Sequence, residues 1–262
     1  MENTESLQTC LEEDILIITF NTPSQVNALT EKSIHKLQEA VQEVYDNSEI
    51  KGAIITGEGE EAFATGTETK ELLKLNELNA RKFAENGQEV FALIENCPKP
   101  ILAAINGYAL GGGCELALAC HFRLASENAI LGFPEIAFGI IPGFGGTQRL
   151  TNLIGRTKAL ELLMTGKCIT AEEAEEMGLV SDVVSYKEEM IKKGREWINK
   201  IMVNEPLAVG MLVNCVNAAQ NPEEDGYQTE ANCFANCFKT ASFKENLSNF
   251  INNTPPYLQE EE

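Results

Sequence analysis

Basic charge is scarce in this sequence: 20 lysines and arginines stand against 40 aspartates and glutamates, a formal net charge of −20. A field of that sign repels phosphate backbones, so nucleic acid is excluded as a general partner. Histidine is scarcer still. His35 and His121 are the only two, neither belongs to an HExxH pattern, and two isolated imidazoles do not make a metal centre, so no metal is expected. Long apolar runs are missing as well. No continuous run reaches the roughly 18 residues of a membrane-crossing helix, and MENTESLQTCLEED has no basic start followed by an apolar signal region. The expectation is a protein of the cytoplasm with no membrane partner.

Several chemical signatures are also lacking. There is no GxxxxGK[ST] phosphate loop and no GxGxxG opening a helix after the first strand, which argues against ATP and dinucleotide binding. No GxSxG elbow is present, which argues against a covalent serine hydrolase. The eight cysteines, at 10, 97, 114, 120, 168, 215, 233 and 237, are too dispersed for a small disulfide scaffold, and most read as reduced core thiols. Cys233 and Cys237 lie four apart and read as helix packing, because two thiols do not complete a zinc site.

What is present is an ordinary soluble composition, 44% hydrophobic and 23% charged over 262 residues, arranged as alternating strand and helix signals. ILIITF (Ile15 to Phe20) and GAIITG (Gly52 to Gly57) are strand candidates. Between them Thr30 can cap a helix whose inner face is Ile34, Leu37, Val41 and Val44. Leu72 to Ile94 reads as one or two helices, with Gly87 leaving their continuity open. Ile101 to Ile105 reads as a buried strand, Leu116 to Ala119 as a buried helix, and FRLAS, AILGF and LVSDVV as further strands. Thr170 with Glu173 has capping-box spacing. From Lys187 onward the pattern is helical. Residues 201 to 262 carry nine acidic and two basic side chains, so this end offers no positive field.

One charge stands out. In GYALGGGCELAL, Glu115 sits inside an apolar run, where an ionised carboxylate without partners is costly. The glycines before it permit close approach of a substrate to exposed backbone N–H groups, and a helix starting there would aim those groups at a developing oxygen anion. Twenty residues on, Glu135 opens a second apolar stretch in FPEIAFGIIPGFGG. If folding brings the two carboxylates together, one water between them would couple proton transfer at two centres, and their like charges would favour a retained proton.

Together EAFATGTETKE, KPILAAINGYALGGGCELALAC, ENAILGFPEIAFGIIPGFGGTQRL and the AEEMGLV region resemble the crotonase superfamily, most of all the enoyl-coenzyme A hydratases, over about Ile15 to Asn249. That resemblance implies an α/β fold. It has a ββα spiral catalytic core over residues 1–200 and a helical C-terminal trimerisation region over 201–262. It also implies a homotrimer or homohexamer. It further implies a lyase that adds water reversibly, in the syn sense, to a trans-2-enoyl-CoA, giving a 3-hydroxyacyl-CoA. Glu115 would assist attack of water at C3, Glu135 would exchange the proton at C2, and the backbone N–H groups of Thr67 and Gly112 would form the oxyanion hole. Ala64, Gly66, Thr67, Gly111, Gly112, Pro134 and Gly143 would bind the substrate. No cofactor is needed, since coenzyme A or phosphopantetheine belongs to the substrate.

Two departures from the family pattern bear on the donor. TGTETKE stands where hydratases commonly resemble GADIKE. In FKTASFKENLSNFINNTPPYL the basic residues that often meet coenzyme A's nucleotide end are missing. An acyl carrier protein's pantetheine thioester is therefore the alternative donor. Isomerisation, dehydration or decarboxylation of an acyl thioester are the alternative reactions, and thioester binding or assembly is the non-enzymatic one.

Overall fold

Near-continuous apolar runs build the centre of the first part of the chain, as parallel strands covered on both faces require. The computed structural model describes residues 6–22 and 26–253, and the chain divides into two units, Met1–Ile201 and Met202–Glu262. In the first, β1 (Leu7–Glu12) and β2 (Ile15–Phe20) form an antiparallel pair. After α1 (Glu31–Asp46), β3 (Gly52–Gly57) lies parallel to β2 with Gly52 opposite Ile15. Next come β4 (Ala62–Ala64), α2 (Thr69–Leu72), α3 (Glu77–Glu95), β5 (Ile101–Ile105), β6 (Tyr108–Leu110) and α4 (Gly112–Ala119). They are followed by β7 (Phe122–Ser126), β8 (Ile130–Gly132), a 3-10 turn at Pro134–Phe138, α5 (Gly146–Ile154) and α6 (Arg156–Thr165). Then β9 (Cys168–Thr170), α7 (Ala171–Glu176), β10 (Asp182–Val184) and α8 (Lys187–Met202) close the series.

Two sheets result, in the orders β1-β2-β3-β5-β7-β10 and β4-β6-β8-β9. The pairs β3/β4, β5/β6 and β7/β8 each send one strand to either sheet before the chain continues through helix, and neighbours within these three turns run parallel. This is the expected ββα spiral of an α/β crotonase-like fold. The amide of Asn106 ties successive turns together. It donates to the Gly57 and Gly59 carbonyls at 3.0 and 2.8 Å and accepts from the Gly57 N–H at 2.9 Å. That anchors the approach to β4, and so the segment that follows it.

Local chemistry accounts for most of the elements. Thr30 caps α1 in a reciprocal capping box with Ser33, and Thr170 does the same for α7 with Glu173. Gly87 does not interrupt α3. It is buried in the middle of that helix, where a Cβ would stand 2.2 Å from Cδ1 of Phe144, so its role is close approach and not chain breaking. The helix anticipated from Leu116 starts earlier, at Gly112, and all eight of its residues are buried. β1 escapes the periodicity because only Leu7 of its six residues is buried, as suits an edge strand. The thiols are all free, but Cys10 and Cys168 are exposed and only Cys97, Cys114, Cys120 and Cys233 are buried. Half of the cysteines, not most, are therefore core thiols.

The second unit is helical, with α9 (Pro206–Ala218), α10 (Gly226–Cys237) and α11 (Ala241–Asn253). Asp225 caps α10 by accepting from the Gln228 N–H at 3.1 Å, and α9 packs on α10. Large apolar side chains, among them Leu212, Val216, Phe234, Phe250 and Ile251, remain exposed on these helices. The last helix, α11, carries Lys244; the end of the divergent stretch, from Thr254, lies outside the described residues.

Candidate active site

The start of α4 is wedged against the segment after β4. A Cβ on Gly113 would stand 1.9 Å from the carbonyl oxygen of Ala64, so glycine there lets helix and strand meet. Gly66 follows with φ +82°, and a Cβ on it would fall 3.1 Å from the Gly112 nitrogen. The two backbones expected to supply oxyanion donors are thus side by side.

Neither N–H has a hydrogen-bond partner among the described residues. Thr67 forms a parallel bridge with Leu29, and its flanking groups make the bonds: the Leu29 N–H donates to the Gly66 carbonyl at 2.7 Å, and the Glu68 N–H to the Leu29 carbonyl at 2.9 Å. In a parallel ladder that arrangement turns the N–H of Thr67 itself to the opposite edge. Gly112 is the first residue of α4, where no carbonyl one turn earlier can accept its N–H. Such early helix donors carry partial positive charge and favour an anion.

Glu115 occupies the first turn of the same helix and is 2% exposed. Its Oε1 accepts from the Phe144 N–H at 2.8 Å and from the Gly146 N–H at 2.7 Å, so one oxygen is held and the carboxylate orientation is fixed. A Cβ on Gly146 would lie 2.8 Å from Cγ of Glu115, which is how the loop comes close enough to donate. Burial pushes the Glu115 carboxyl up to about 7. The two N–H donors work against that rise, and the charge of Glu135 adds to it. At neutral pH this group is poised between acid and base.

Glu135 lies on the 3-10 turn, one residue after Pro134, and desolvation raises its proton affinity too. Its Oε2 is buried and has no hydrogen-bond partner among the described residues. Its Oε1 would be 2.6 Å from a Cβ on Gly111, the N-cap of α4, whose φ of +52° and ψ of −124° favour glycine. Folding therefore places Glu135 at the start of the helix that carries Glu115. The surface carboxylate that its sequence context alone suggests is in fact partly buried.

Of the anticipated substrate-binding residues, Ala64, Gly66, Thr67, Gly111 and Gly112 converge here and Pro134 opens the turn bearing Glu135. Gly143 sits toward α3, where its carbonyl accepts from Nε2 of Gln88 at 2.8 Å and a Cβ would meet only Ala84. Sequence reasoning missed Phe144 and Gly146, the donors that clamp Glu115. The glycine-rich PGFGG stretch was their only signal, because a backbone donor leaves no side-chain signature. Among the described residues no group of three or more His, Cys, Asp or Glu side chains is placed to hold a metal ion.

The enoyl-CoA hydratase/isomerase family model matches residues 11–261. The chain belongs to this family. It is 39% identical over 241 residues to a short-chain-enoyl-CoA hydratase of Clostridium acetobutylicum, covering 92% of each chain. It is 40% identical over 241 residues to a crotonyl-CoA hydratase of Syntrophomonas wolfei, again covering 92% of each. The crystal structure of an enoyl-CoA hydratase from Bacillus anthracis superposes with a TM-score of 0.87 at 36% identity, covering 95% of this chain and 96% of that one. Within this family's fold, two carboxylates and two N–H groups without a partner among the described residues gather at the start of one helix.

Proposed function

We propose that this family member is an enoyl-CoA hydratase that adds water reversibly, in the syn sense, to short-chain trans-2-enoyl-CoA thioesters. The observation that carries the reading is the pair of carboxylates at α4: Glu115 held by two N–H donors, and Glu135 beside Gly111 with one oxygen unpartnered. The short-chain preference rests on the relatives named above.

In hydration, ionised Glu115 takes a proton from water as its oxygen bonds to C3, and protonated Glu135 gives a proton to C2. The C2–C3 double bond is consumed and the thioester carbonyl carries the developing charge. The N–H groups of Thr67 and Gly112 receive that oxygen, and a single such donor is worth roughly 2.7–4 kcal/mol. Raised proton affinity at both glutamates suits a pair that must hold one proton and release another near neutral pH.

Purified protein is tested on a panel of enoyl thioesters that includes crotonyl-CoA and carrier-linked analogues, following loss of the conjugated absorbance and incorporation of oxygen-18 from water. Oxygen-18 in a 3-hydroxyacyl-CoA is the expected product. Double-bond migration, carbon dioxide release, or turnover of carrier-linked substrates alone would replace this reading with isomerase, decarboxylase or carrier-linked activity. Binding without any product would leave a thioester-binding protein. Glu115→Gln and Glu135→Gln should each lower kcat by about 10²–10⁴-fold with the fold retained.

The second unit is proposed to mediate a homotrimer or paired trimers, supported by the exposed apolar residues on its helices, such as Leu212, Val216 and Phe234. Light scattering after size exclusion tests this, and a monomer at micromolar concentration counts against it.

A further inference from the structure

Glu115 is held by a loop, and the loop is held by an arginine that the proposed chemistry does not use. Phe144, Gly145 and Gly146 end the PGFGG stretch and lead into α5, which Gly146 begins, and Arg149 of α5 folds back over them. Its Nη1 donates to the Phe144 carbonyl at 2.9 Å, and its Nη2 donates to Oε2 of Glu95, at the end of α3, at 2.8 Å. The guanidinium lies where a side chain on Gly145 would stand, 2.4 Å from Nη1 to the ideal Cβ. One residue therefore joins two functions: the Phe144 N–H grips Glu115 while the Phe144 carbonyl is gripped by Arg149.

We propose that Arg149, braced by Glu95, is a positioning residue that fixes the Phe144–Gly146 loop so that its two N–H groups orient Glu115 for proton transfer. Arg149 touches no reacting atom. A guanidinium suits the task because its rigid fork engages two acceptors in different directions at once, the carbonyl of the loop and the carboxylate of α3. The Phe144 ring shares the job from its other side, packed 5.2 Å from Phe83 and 5.5 Å from Phe91 between ring centroids and against Gly112. Loop, α3 and the start of α4 are therefore packed on one another through this ring.

The same arrangement has an electrostatic consequence. The titratable groups acting on Glu115 are Glu135 from the 3-10 turn and Arg149 from α5, while Glu115 itself raises the proton affinity of Cys114 on its own helix; the positive charge of Arg149 lowers the proton affinity of Glu115, against the rise from burial and Glu135. Arg149→Met removes a positive charge, so the Glu115 midpoint moves up. Glu95→Gln leaves that charge in place and removes only the brace. A charge without a positioning role would move the midpoint and leave kcat at the wild-type value.

The test uses full-length protein with glutamate labelled with carbon-13 at the side-chain carboxyl, the Glu115 resonance being assigned by its loss in Glu115→Gln. In Arg149→Met the midpoint should rise, with Arg149→Lys returning it toward the wild-type value, and Glu95→Gln should lower kcat without abolishing it. In the hydratase assay, kcat of Arg149→Met should fall about tenfold or more while KM stays within about threefold. Arg149→Lys, which keeps the charge and loses the fork, should recover the midpoint without full recovery of kcat. An unmoved midpoint and wild-type kcat in Arg149→Met overturn the proposal. If Arg149→Met does not fold, a wild-type kcat in Glu95→Gln overturns it equally. The reading rests on the proposed hydration. The two fail separately, because the carboxyl titration is read without turnover and the absence of water addition in the wild type leaves it measurable.

Discussion

Replacing Gly111 by alanine perturbs the site at a single carbon. The backbone there has φ +52° and ψ −124°, and the added Cβ would lie 2.6 Å from Oε1 of Glu135 and 3.1 Å from its Cδ. Ordinary contact requires the carboxylate to retreat by roughly 0.8 Å or more. Two costs follow. A non-glycine residue in that region of φ carries about 1–3 kcal/mol of strain, which for a chain of this size lowers Tm by roughly 2–10 °C. Displacement of a catalytic group by about 1 Å costs on the order of 10²-fold in rate, so kcat/KM for crotonyl-CoA should fall by about that factor. Gly178→Ala is the matched control, because its φ of +74° is also positive but a Cβ there meets nothing within 4 Å. It should lose about 1 kcal/mol and keep its activity. Calorimetry and the absorbance assay on both variants decide the matter. If Gly111→Ala loses stability as the control does yet turns over at the wild-type rate, then Glu135 is not the proton donor at C2.

The raised Glu115 carboxyl has a signature in stability. Its folded value of about 7 lies above the ordinary carboxylate value of 4.5, so the folded state binds more protons between those limits and stability falls as pH rises through them, by up to about 3 kcal/mol from this group. Urea denaturation from pH 5 to 8 should show a shallower fall for Glu115→Gln than for wild type, and equal slopes would contradict the burial argument. Gly87→Ala drives a methyl into the Phe144 ring, 2.2 Å from Cδ1, and should cost about 1–3 kcal/mol in the same assay. Because Phe144 also clamps Glu115, its kcat should fall as well. A stability loss without a kcat loss would uncouple the ring from the carboxylate.

Much of the fold was legible because its elements obey local rules. GAIITG and ILAAI read as strands because parallel strands buried on both faces must be apolar throughout. The caps at Thr30 and Thr170 are written in neighbouring side chains. Where the signal was not local, it failed. Gly87 looked like punctuation along the chain, yet it answers to a phenylalanine 57 positions away. β1 was invisible because an edge strand need bury only one of its residues.

The site divides the same way. Sequence alone determined which groups are the candidates for chemistry: a carboxylate in an apolar run at Glu115, a second at Glu135, and glycines that bare the backbone at Gly111 and Gly112. Side-chain identity carries that information, since only certain residues can move a proton or expose an N–H. Tertiary structure decided how those groups are arranged. It set Glu135 against Gly111 and lodged Gly66 beside the Gly112 nitrogen. It also held Glu115 with the N–H groups of Phe144 and Gly146, which any residue but proline could have supplied. The physical reason is that burial and backbone hydrogen bonds, which move Glu115 to about 7, come from distant segments folded against it and not from its neighbours in the chain.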